Sequence, residues 1–167
     1  MTLRLCKVAL VACAAFFLVL VVFNNVTDPG SNLKFVRHVL SMDDTFPDNS
    51  GMWRALPGPR VHLLFYCVIV LWEALSAALI GAGAWRLWRA RRAPAAGWHC
   101  AKSLAVLGLT VGLVQWFAAF LSVGGEWFLM WQSKLWNGQE AAFRIFAILG
   151  ILLIFLCQRD DDLQPRT

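Results

Sequence analysis

Four long apolar stretches, separated by short polar segments, make up most of the chain. They cover about residues 5–24, 61–84, 103–122 and 140–157. Each approaches the roughly 20 apolar residues that a helix needs to cross about 30 Å of hydrocarbon. The pattern predicts an all-α membrane protein in which four transmembrane helices form one bundle, with residues 1–167 as a single integral-membrane domain.

The first apolar stretch could also be a signal peptide, because Arg4 and Lys7 precede it. However, it is long for a signal peptide and ends in FNNV, without a small-residue cleavage site. We therefore predict that it remains in the protein as the first transmembrane helix.

The composition agrees with a membrane protein. Of 167 residues, 59% are hydrophobic and 15% are charged, and the mean hydropathy is +0.61, which is too apolar for an ordinary soluble domain. A net charge of +5 is compatible with contact to anionic lipid, and nucleic-acid binding is not expected.

Basic residues predict the orientation in the membrane. The connection 85–102 contains five Lys or Arg residues and no acid, so the positive-inside rule places it in the cytoplasm. With four spans, both termini are then cytoplasmic, and loops 25–60 and 123–139 face outward. We expect a multi-pass protein of the bacterial inner membrane.

The first outer loop contains an amphipathic segment. In LKFVRHVLSM, apolar residues recur at helical spacing with polar residues between them. We predict a helix over residues 31–42 that lies flat in the membrane interface, followed by a surface loop rich in Pro, Gly, Asp and Asn.

The second outer loop, GGEWFLMWQSKLWNGQ, concentrates aromatic and polar residues at 124–139. Its first two glycines predict a break in the third transmembrane helix, and a short helix over 125–137 follows from the sequence. On that helix Trp127, Trp131 and Leu135 form one stripe. The two loops together predict an extracytoplasmic cap of short amphipathic helices. The candidate docking or interface-anchor residues are Trp127, Trp131, Trp136, Glu126 and Gln132.

Glu73 lies in the middle of the second span, where a carboxyl group needs a partner or a neutralising proton. Counted from opposite membrane faces, Glu73 and Gln115 both lie about 18 Å deep, so we predict an intramembrane polar pair. Glu73 is then either a proton or cation site, or a protonated carboxyl that joins two helices. Their tryptophan neighbours, Trp72 and Trp116, need hydrogen-bond acceptors if they are buried.

Small residues at helical spacing predict which helices pack most closely. The third span contains Ala105, Gly108 and Gly112, and the second contains Ala77 and Gly81. Small residues four apart allow helix backbones to approach. We expect the second and third spans to form a close antiparallel pair.

The histidines raise the possibility of a haem or quinone site. Only His38 and His62 could share one, near the outer surface, because His99 lies in the cytoplasmic loop and no histidine is deep in a span. Zinc, phosphate-loop and hydrolase signatures are absent from the sequence. We predict no metal, no cofactor and no enzymatic activity.

Several stretches together resemble a family of predicted small bacterial integral-membrane proteins that is known only as a domain of unknown function. They are SNLKFVRHVLSMDDTFP, the Glu73 span, GGEWFLMWQSKLWNGQ and AFR at 142–144. The resemblance covers nearly the whole chain. It implies a four-helix inner-membrane protein, but no reaction, substrate or binding residue.

Three functions are compatible with the sequence. The first is a non-enzymatic accessory or scaffolding subunit whose outer cap binds another membrane or periplasmic protein. The second is a small proton- or cation-coupled transporter that uses Glu73 and Gln115, with homo-oligomers supplying the pathway. The third is a redox membrane anchor that holds haem or quinone through His38, His62 and the tryptophans. In each case the lipid bilayer is the first partner.

Overall fold

The computed structural model describes residues 1–162, and the regular structure in that range is entirely helical. Within it, four helices are long and apolar enough to cross a membrane: Thr2–Thr27, Pro59–Ala90, Ala95–Trp127 and Gln139–Cys157. Each predicted span lies inside one of them. The prediction of an all-α membrane protein with four transmembrane helices is confirmed.

The connections between the helices range from a single residue, Asp28, to the long loop 42–58. Three-residue 3₁₀ turns occur at Met52–Arg54 and Met130–Gln132. The third transmembrane helix, Ala95–Trp127, consists of three parts, and the last part is π-helical. In chain order the helices are α1 (Thr2–Thr27), α2 (Pro29–Ser41), α3 (Pro59–Ala90), α4 (Ala95–Ala101), α5 (Ser103–Val114, continued as a π-helix over Gln115–Trp127) and α6 (Gln139–Cys157).

The amphipathic helix α2 forms where the sequence predicts it, but begins two residues earlier than 31–42. Asp28 leaves the helical conformation, and Pro29 then starts α2 at a position where the missing backbone N–H costs nothing. Ser31 Oγ donates to Asp28 Oδ2 at 2.7 Å. The helix ends at Met42, which adopts the left-handed conformation with φ 54°.

The second and third transmembrane helices form the predicted close pair. A Cβ atom on Gly83 would lie 2.5 Å from the backbone of Ala105, and one on Gly108 would lie 2.7 Å from the backbone nitrogen of Ile80. Real Cβ atoms do not approach backbone so closely, so both positions require glycine. The two helix backbones therefore touch without intervening side chains.

Two of the other small residues face different helices. Gly81 faces Ala15 of α1, and Gly112 lies nearest to Leu149 of α6. Expecting Gly81 in the α3–α5 contact was therefore wrong. As a result α3 packs against both α1 and α5 and occupies the centre of the bundle.

A separate hydrophobic cluster lies at the end of the bundle opposite Met1. It joins α2 to the start of α3 and to the segment after the π-helix, through buried side chains that include Leu40, Tyr66, Phe128 and Met130. We call α2 with residues 42–58 and 128–138 the cap layer. The end that carries it is the cap end, and the end that carries Met1 is the amino end.

The predicted helix over 125–137 is wrong. The third transmembrane helix continues through both glycines to Trp127, and the chain turns at Leu129, whose φ is 54°. A Cβ on Gly125 would collide with Nε2 of Gln139, so glycine there leaves room for this side chain of α6. The sequence pattern indicated a helix break at the two glycines, whereas the helix continues through them.

Candidate functional site

Glu73 lies on α3 inside the bundle and is 2% exposed. Its Oε2 atom accepts a hydrogen bond of 2.6 Å from Nδ2 of Asn25, near the end of α1. Tyr66, two turns before Glu73, donates from its hydroxyl to the Asn25 carbonyl at 2.6 Å. That carbonyl is in the last turn of α1 and has no acceptor role within the helix, so Tyr66 supplies the missing donor.

The predicted pairing of Glu73 with Gln115 is wrong as to partner. Among residues 1–162 no hydrogen bond joins the two side chains. Gln115 Nε2 instead donates to the carbonyl of Ile69, one turn before Glu73, at 3.1 Å. Gln115 is nevertheless buried beside the same part of α3, so the counting of depth brought the correct helices together. Counting depth did not identify Asn25 as the partner, because the stretch FNNV was interpreted as the end of the first helix.

A cavity of about 340 Å³ lies beside Glu73. Three asparagines, from the end of α1 and from α2, contribute polar groups to its lining, and Trp116 contributes an indole. Trp116 is 6% exposed, and its Nε1–H has no hydrogen-bond partner in the part of the chain that the structure describes. Trp72, in contrast, donates to the Val111 carbonyl at 3.1 Å. Of the two tryptophans expected to need acceptors, Trp72 has one, and Trp116 has none among residues 1–162.

The π-helix begins at Gln115, and its residues Trp116 and Phe120 line this cavity. Its wider turns are visible in the Phe128 N–H, which donates to the Val123 carbonyl five residues earlier. Segments of π-helix are uncommon and occur often at functional sites. Nothing in the hydrophobic periodicity of the third span predicted this change of helix type.

An apolar groove of about 270 Å³ adjoins the cavity between α2, α3 and the π-helix. Phe35, Val36, Ile69 and Phe120 line both spaces, so the cavity and the groove are adjacent. The cavity beside Glu73 is therefore next to a groove that is almost wholly hydrocarbon.

An aromatic patch built around Arg54 lies where the cap layer meets the end of the π-helix. The Arg54 Nη1 atom donates to the Trp127 carbonyl at 3.1 Å, and the guanidinium lies 5.7 Å from the Trp53 ring and 5.5 Å from the Trp127 ring. The two indoles meet edge to face, with centroids 5.7 Å apart. Trp53 is 75% exposed and Trp127 is 48% exposed. Large apolar side chains are thus held in fixed positions while much of their surface stays uncovered.

Three of the other candidate docking residues occupy separate places in the cap layer. Trp131 packs edge to face on Phe46, whose backbone N–H donates to Oε1 of Gln132 at 3.1 Å. Trp136 stacks on His38 with centroids 4.3 Å apart. The predicted stripe of Trp127, Trp131 and Leu135 on one helix is wrong, because that helix does not form. Glu126, the remaining candidate, lies in the last turn of the π-helix and its side chain is exposed.

Both histidines considered for a cofactor have other partners. His38 Nδ1 lies 2.9 Å from a carboxylate oxygen of Asp43. His62 is 3% exposed, and its Nε2 contacts the Leu56 carbonyl. These contacts join α2 and α3 to the loop 42–58, and no described group of three or more His, Cys, Asp or Glu could hold a metal ion.

A buried ionic cluster lies at the amino end, where no sequence pattern predicts a site. Asp160 Oδ2 accepts hydrogen bonds from Lys7 Nζ at 2.7 Å, Lys102 Nζ at 2.6 Å and Trp98 Nε1 at 3.0 Å. Both lysines also donate to the Gln158 carbonyl, at 3.0 and 2.7 Å. Three separate parts of the chain, α1, the α4–α5 junction and the segment after α6, converge on one carboxylate.

The cluster contains more cationic than anionic side chains. Carbonyl groups at helix C-termini balance the excess positive charge. Gln158 follows the last residue of α6, where unpaired carbonyls carry partial negative charge. Arg4 similarly donates to the Ala93 carbonyl, just beyond α3, at 2.6 Å. Burial opposes ionisation of Asp160, but the hydrogen bonds from Lys102, Lys7 and Trp98 outweigh it and hold its pKa at about 2.

Comparison with known proteins assigns the chain to a family. The profile of the predicted small integral membrane proteins of DUF2165, a domain of unknown function, matches residues 3–159. The chain therefore belongs to that family, as its motifs suggested. No curated protein and no solved structure matches it.

Proposed function

We propose that this DUF2165 member is a non-enzymatic accessory or scaffolding subunit of a membrane complex. The cap layer faces the periplasm of a bacterial inner-membrane protein and binds another membrane or periplasmic protein. The observation that carries the proposal is the patch of Trp53, Arg54 and Trp127. Tryptophan and arginine dominate the residues that anchor protein interfaces.

The fixed geometry of the patch supports docking in addition to lipid anchoring. An exposed side chain that is already held by its neighbours loses less conformational freedom when a partner covers it. Arg54 holds both indoles and is itself bonded to the backbone at the end of the π-helix. A tryptophan that only anchors the protein in the interface needs no such arrangement.

The distribution of exposed charge supports the proposed orientation. Arg86, Arg89 and Arg92 are exposed at the amino end, whereas the cap layer contains acids as well as bases. Under the positive-inside rule the amino end is then cytoplasmic, together with both termini.

Purification with a matched control tests the docking proposal. The protein is isolated from its native membrane in mild detergent, and co-purifying proteins are quantified by mass spectrometry. The substitutions Trp53→Leu and Trp127→Leu should together remove a stoichiometric partner. Trp85→Leu, a control on an exposed tryptophan of α3 near the amino end, should retain it. A homo-oligomer without another stoichiometric protein, or equal recovery with both variants, would contradict the proposal.

A second function, proton or cation binding at Glu73, is favoured by the surroundings of that residue. Glu73 is buried next to a cavity, and its hydrogen-bond partner Asn25 is neutral. A carboxyl group in such a place carries either a proton or a bound cation. The hydrogen bond to Asn25 is also compatible with a purely structural role for Glu73. A transport measurement must therefore distinguish ion binding from that structural role.

Flux in proteoliposomes is the appropriate measurement for this second function. If Glu73 carries protons or monovalent cations, Glu73→Gln should abolish the uptake of these ions. Glu126→Gln alters an exposed carboxyl and should leave ion uptake unchanged. The glutamine side chain retains an oxygen that can accept from Asn25, so the variant should fold. Equal flux in both variants, or no flux in the wild type, would leave Glu73 with a structural role alone.

The redox anchor is the third proposal. It rests on His38 and His62, whose observed partners are Asp43 and the Leu56 carbonyl. A visible spectrum of the purified protein without a Soret band would remove its haem form.

A further inference from the structure

We infer that the cavity beside Glu73 binds an organic cation with an apolar substituent, of the quaternary ammonium ester type. This inference rests on the second function proposed above, cation binding at Glu73, and specifies the chemical class of the cation. It depends on four features of the cavity: its charge, its aromatic walls, an unused donor and the groove beside it.

The charge of the lining selects for a cation. Glu73 is the acidic residue in the wall, and among residues 1–162 no lysine, arginine or histidine lines the cavity. The remaining polar groups are three asparagine amides, one phenol and one indole. An anionic head group would therefore meet a carboxyl and no compensating positive charge, whereas a monovalent cation would neutralise Glu73.

The walls favour an organic cation over a bare metal ion. Phe35, Tyr66, Trp116 and Phe120 contribute aromatic rings, and the Trp116 and Phe120 rings are stacked with centroids 4.6 Å apart. Aromatic walls attract quaternary ammonium groups through their π-electron faces. A hard metal ion needs a close shell of oxygen ligands, which a space of about 340 Å³ with mainly hydrocarbon walls does not provide.

The unpaired Trp116 N–H accounts for the ester part of the ligand. A buried indole N–H without an acceptor is costly, and because protein atoms enclose this nitrogen, the indole must turn toward the cavity before a ligand oxygen can accept from it. Neither the carboxyl nor an aromatic wall can distinguish an ester from a simple tetraalkylammonium ion. Trp116 can, because only the ester carries a hydrogen-bond acceptor.

The adjoining groove accounts for the apolar substituent. It shares Phe35, Val36, Ile69 and Phe120 with the cavity, and its remaining lining is formed by further apolar side chains and glycine. A cationic head placed beside Glu73 can therefore extend a short acyl chain into hydrocarbon. Both spaces have the size at which small-molecule sites begin, about 300 Å³.

Saturation binding of radiolabelled hexanoylcholine to the full-length protein in detergent tests the inference. The wild type should bind it at one saturable site, and Glu73→Gln should weaken binding by about tenfold or more, because a charged contact is lost. Glu126→Gln is the control for loss of a carboxyl and should bind as the wild type does. Size-exclusion chromatography and thermal melting confirm that each variant is folded.

Two further probes separate charge, shape and hydrogen bonding. An ester of the same shape with tert-butyl in place of trimethylammonium should fail to displace hexanoylcholine. Trp116→Phe should weaken hexanoylcholine binding several-fold and leave tetrabutylammonium binding unchanged, since only the ester uses the indole N–H. Displacement by the neutral ester with equal potency would overturn the inference, and so would unaltered binding by folded Glu73→Gln.

The outcome for the proposed cation function can be read independently. If Glu73-dependent flux of protons or sodium persists but hexanoylcholine does not bind saturably, the inference fails and the function stands. If the wild type shows neither flux nor saturable binding, both fail. Displacement of bound hexanoylcholine by sodium or potassium with equal potency would contradict selection of an organic cation.

Discussion

Asp160 is the residue whose charge should matter most to the stability of the bundle. Its carboxylate receives three hydrogen bonds at the amino end, two of them from the buried lysines Lys7 and Lys102. We predict that Asp160→Asn lowers the free energy of unfolding substantially. Asp161→Asn should have little effect, because Asp161 is exposed and contacts the cluster through its backbone carbonyl.

The magnitude follows from two estimates. The pKa of Asp160 is about 2 in the folded protein, against an ordinary value of 3.8. A shift of that size corresponds to about 2 kcal/mol of folding stability when the carboxyl is charged. Removing one partner of a buried ion pair generally costs more, about 3–5 kcal/mol, because the remaining charge is stranded. We expect a loss of between about 2 and 5 kcal/mol, and place more weight on the lower value because helix C-termini partly neutralise the lysines.

The pH dependence has a defined direction. Because folding lowers the pKa of Asp160, its contribution is fully present above pH 4 and is lost as the pH falls from about 4 to about 2. Unfolding by sodium dodecyl sulfate in mixed micelles, monitored by circular dichroism, measures this contribution to the free energy of unfolding. The difference between the wild type and Asp160→Asn should shrink over that interval. A constant difference down to pH 2 would refute the assignment of the effect to charge.

A double-mutant cycle tests the cause. If Asp160→Asn destabilises the bundle by stranding a lysine, then combining it with Lys102→Met should cost less than the sum of the two single changes. Strictly additive losses would show that the carboxylate and Lys102 act independently, contrary to their 2.6 Å contact.

Two further predictions concern packing and the cap layer. Gly83→Ala should cost about 1–3 kcal/mol in the same assay, because its Cβ would meet the backbone of α5 at 2.5 Å, whereas Gly81→Ala, with 3.8 Å of clearance, should be neutral or slightly stabilising; equal effects would contradict the close contact. Ser133→Ala should remove two hydrogen bonds, the one that Ser133 Oγ donates to Asp44 and the one that it accepts from the Trp136 N–H, and should speed amide exchange in residues 128–138 by roughly fivefold or more, because each bond is worth about 1 kcal/mol. Hydrogen–deuterium exchange should detect no such change in the control Ser122→Ala, whose hydroxyl bonds within its own helix.

The transmembrane helices and α2 could be predicted because their signals are local. A run of about 20 apolar residues predicts a membrane span, and an apolar face at helical spacing predicts an amphipathic helix, whatever the neighbouring segments are. The end of the third helix could not be predicted in this way. Gly124 and Gly125 usually indicate a helix end, but here Gly125 lies against Gln139 of α6, and only the tertiary structure contains that contact.

The site was predicted in part. Glu73 stood out because a carboxyl in an apolar span is costly at any position in the bundle. Its partner depended on the relative depth of two helices, which was counted on the assumption that their ends are level. In the structure Asn25 is near the end of α1 but Glu73 is almost four turns into α3, so the helix ends are staggered at the cap end. A stagger of this kind leaves no mark on hydropathy.

The amino end shows why charges near membrane helices have two meanings. Lys7 and Lys102 were counted as signals of orientation, as though both were solvated, yet they are 1% and 4% exposed and bind Asp160. A lysine paired in this way adds little positive charge to the surface. The orientation proposal must therefore rest on the exposed arginines at the end of α3, Arg86 and Arg89, together with Arg92. Neutralising those three should weaken or invert the topology in a reporter-fusion assay, whereas Lys7→Gln should reduce stability and leave the topology unchanged.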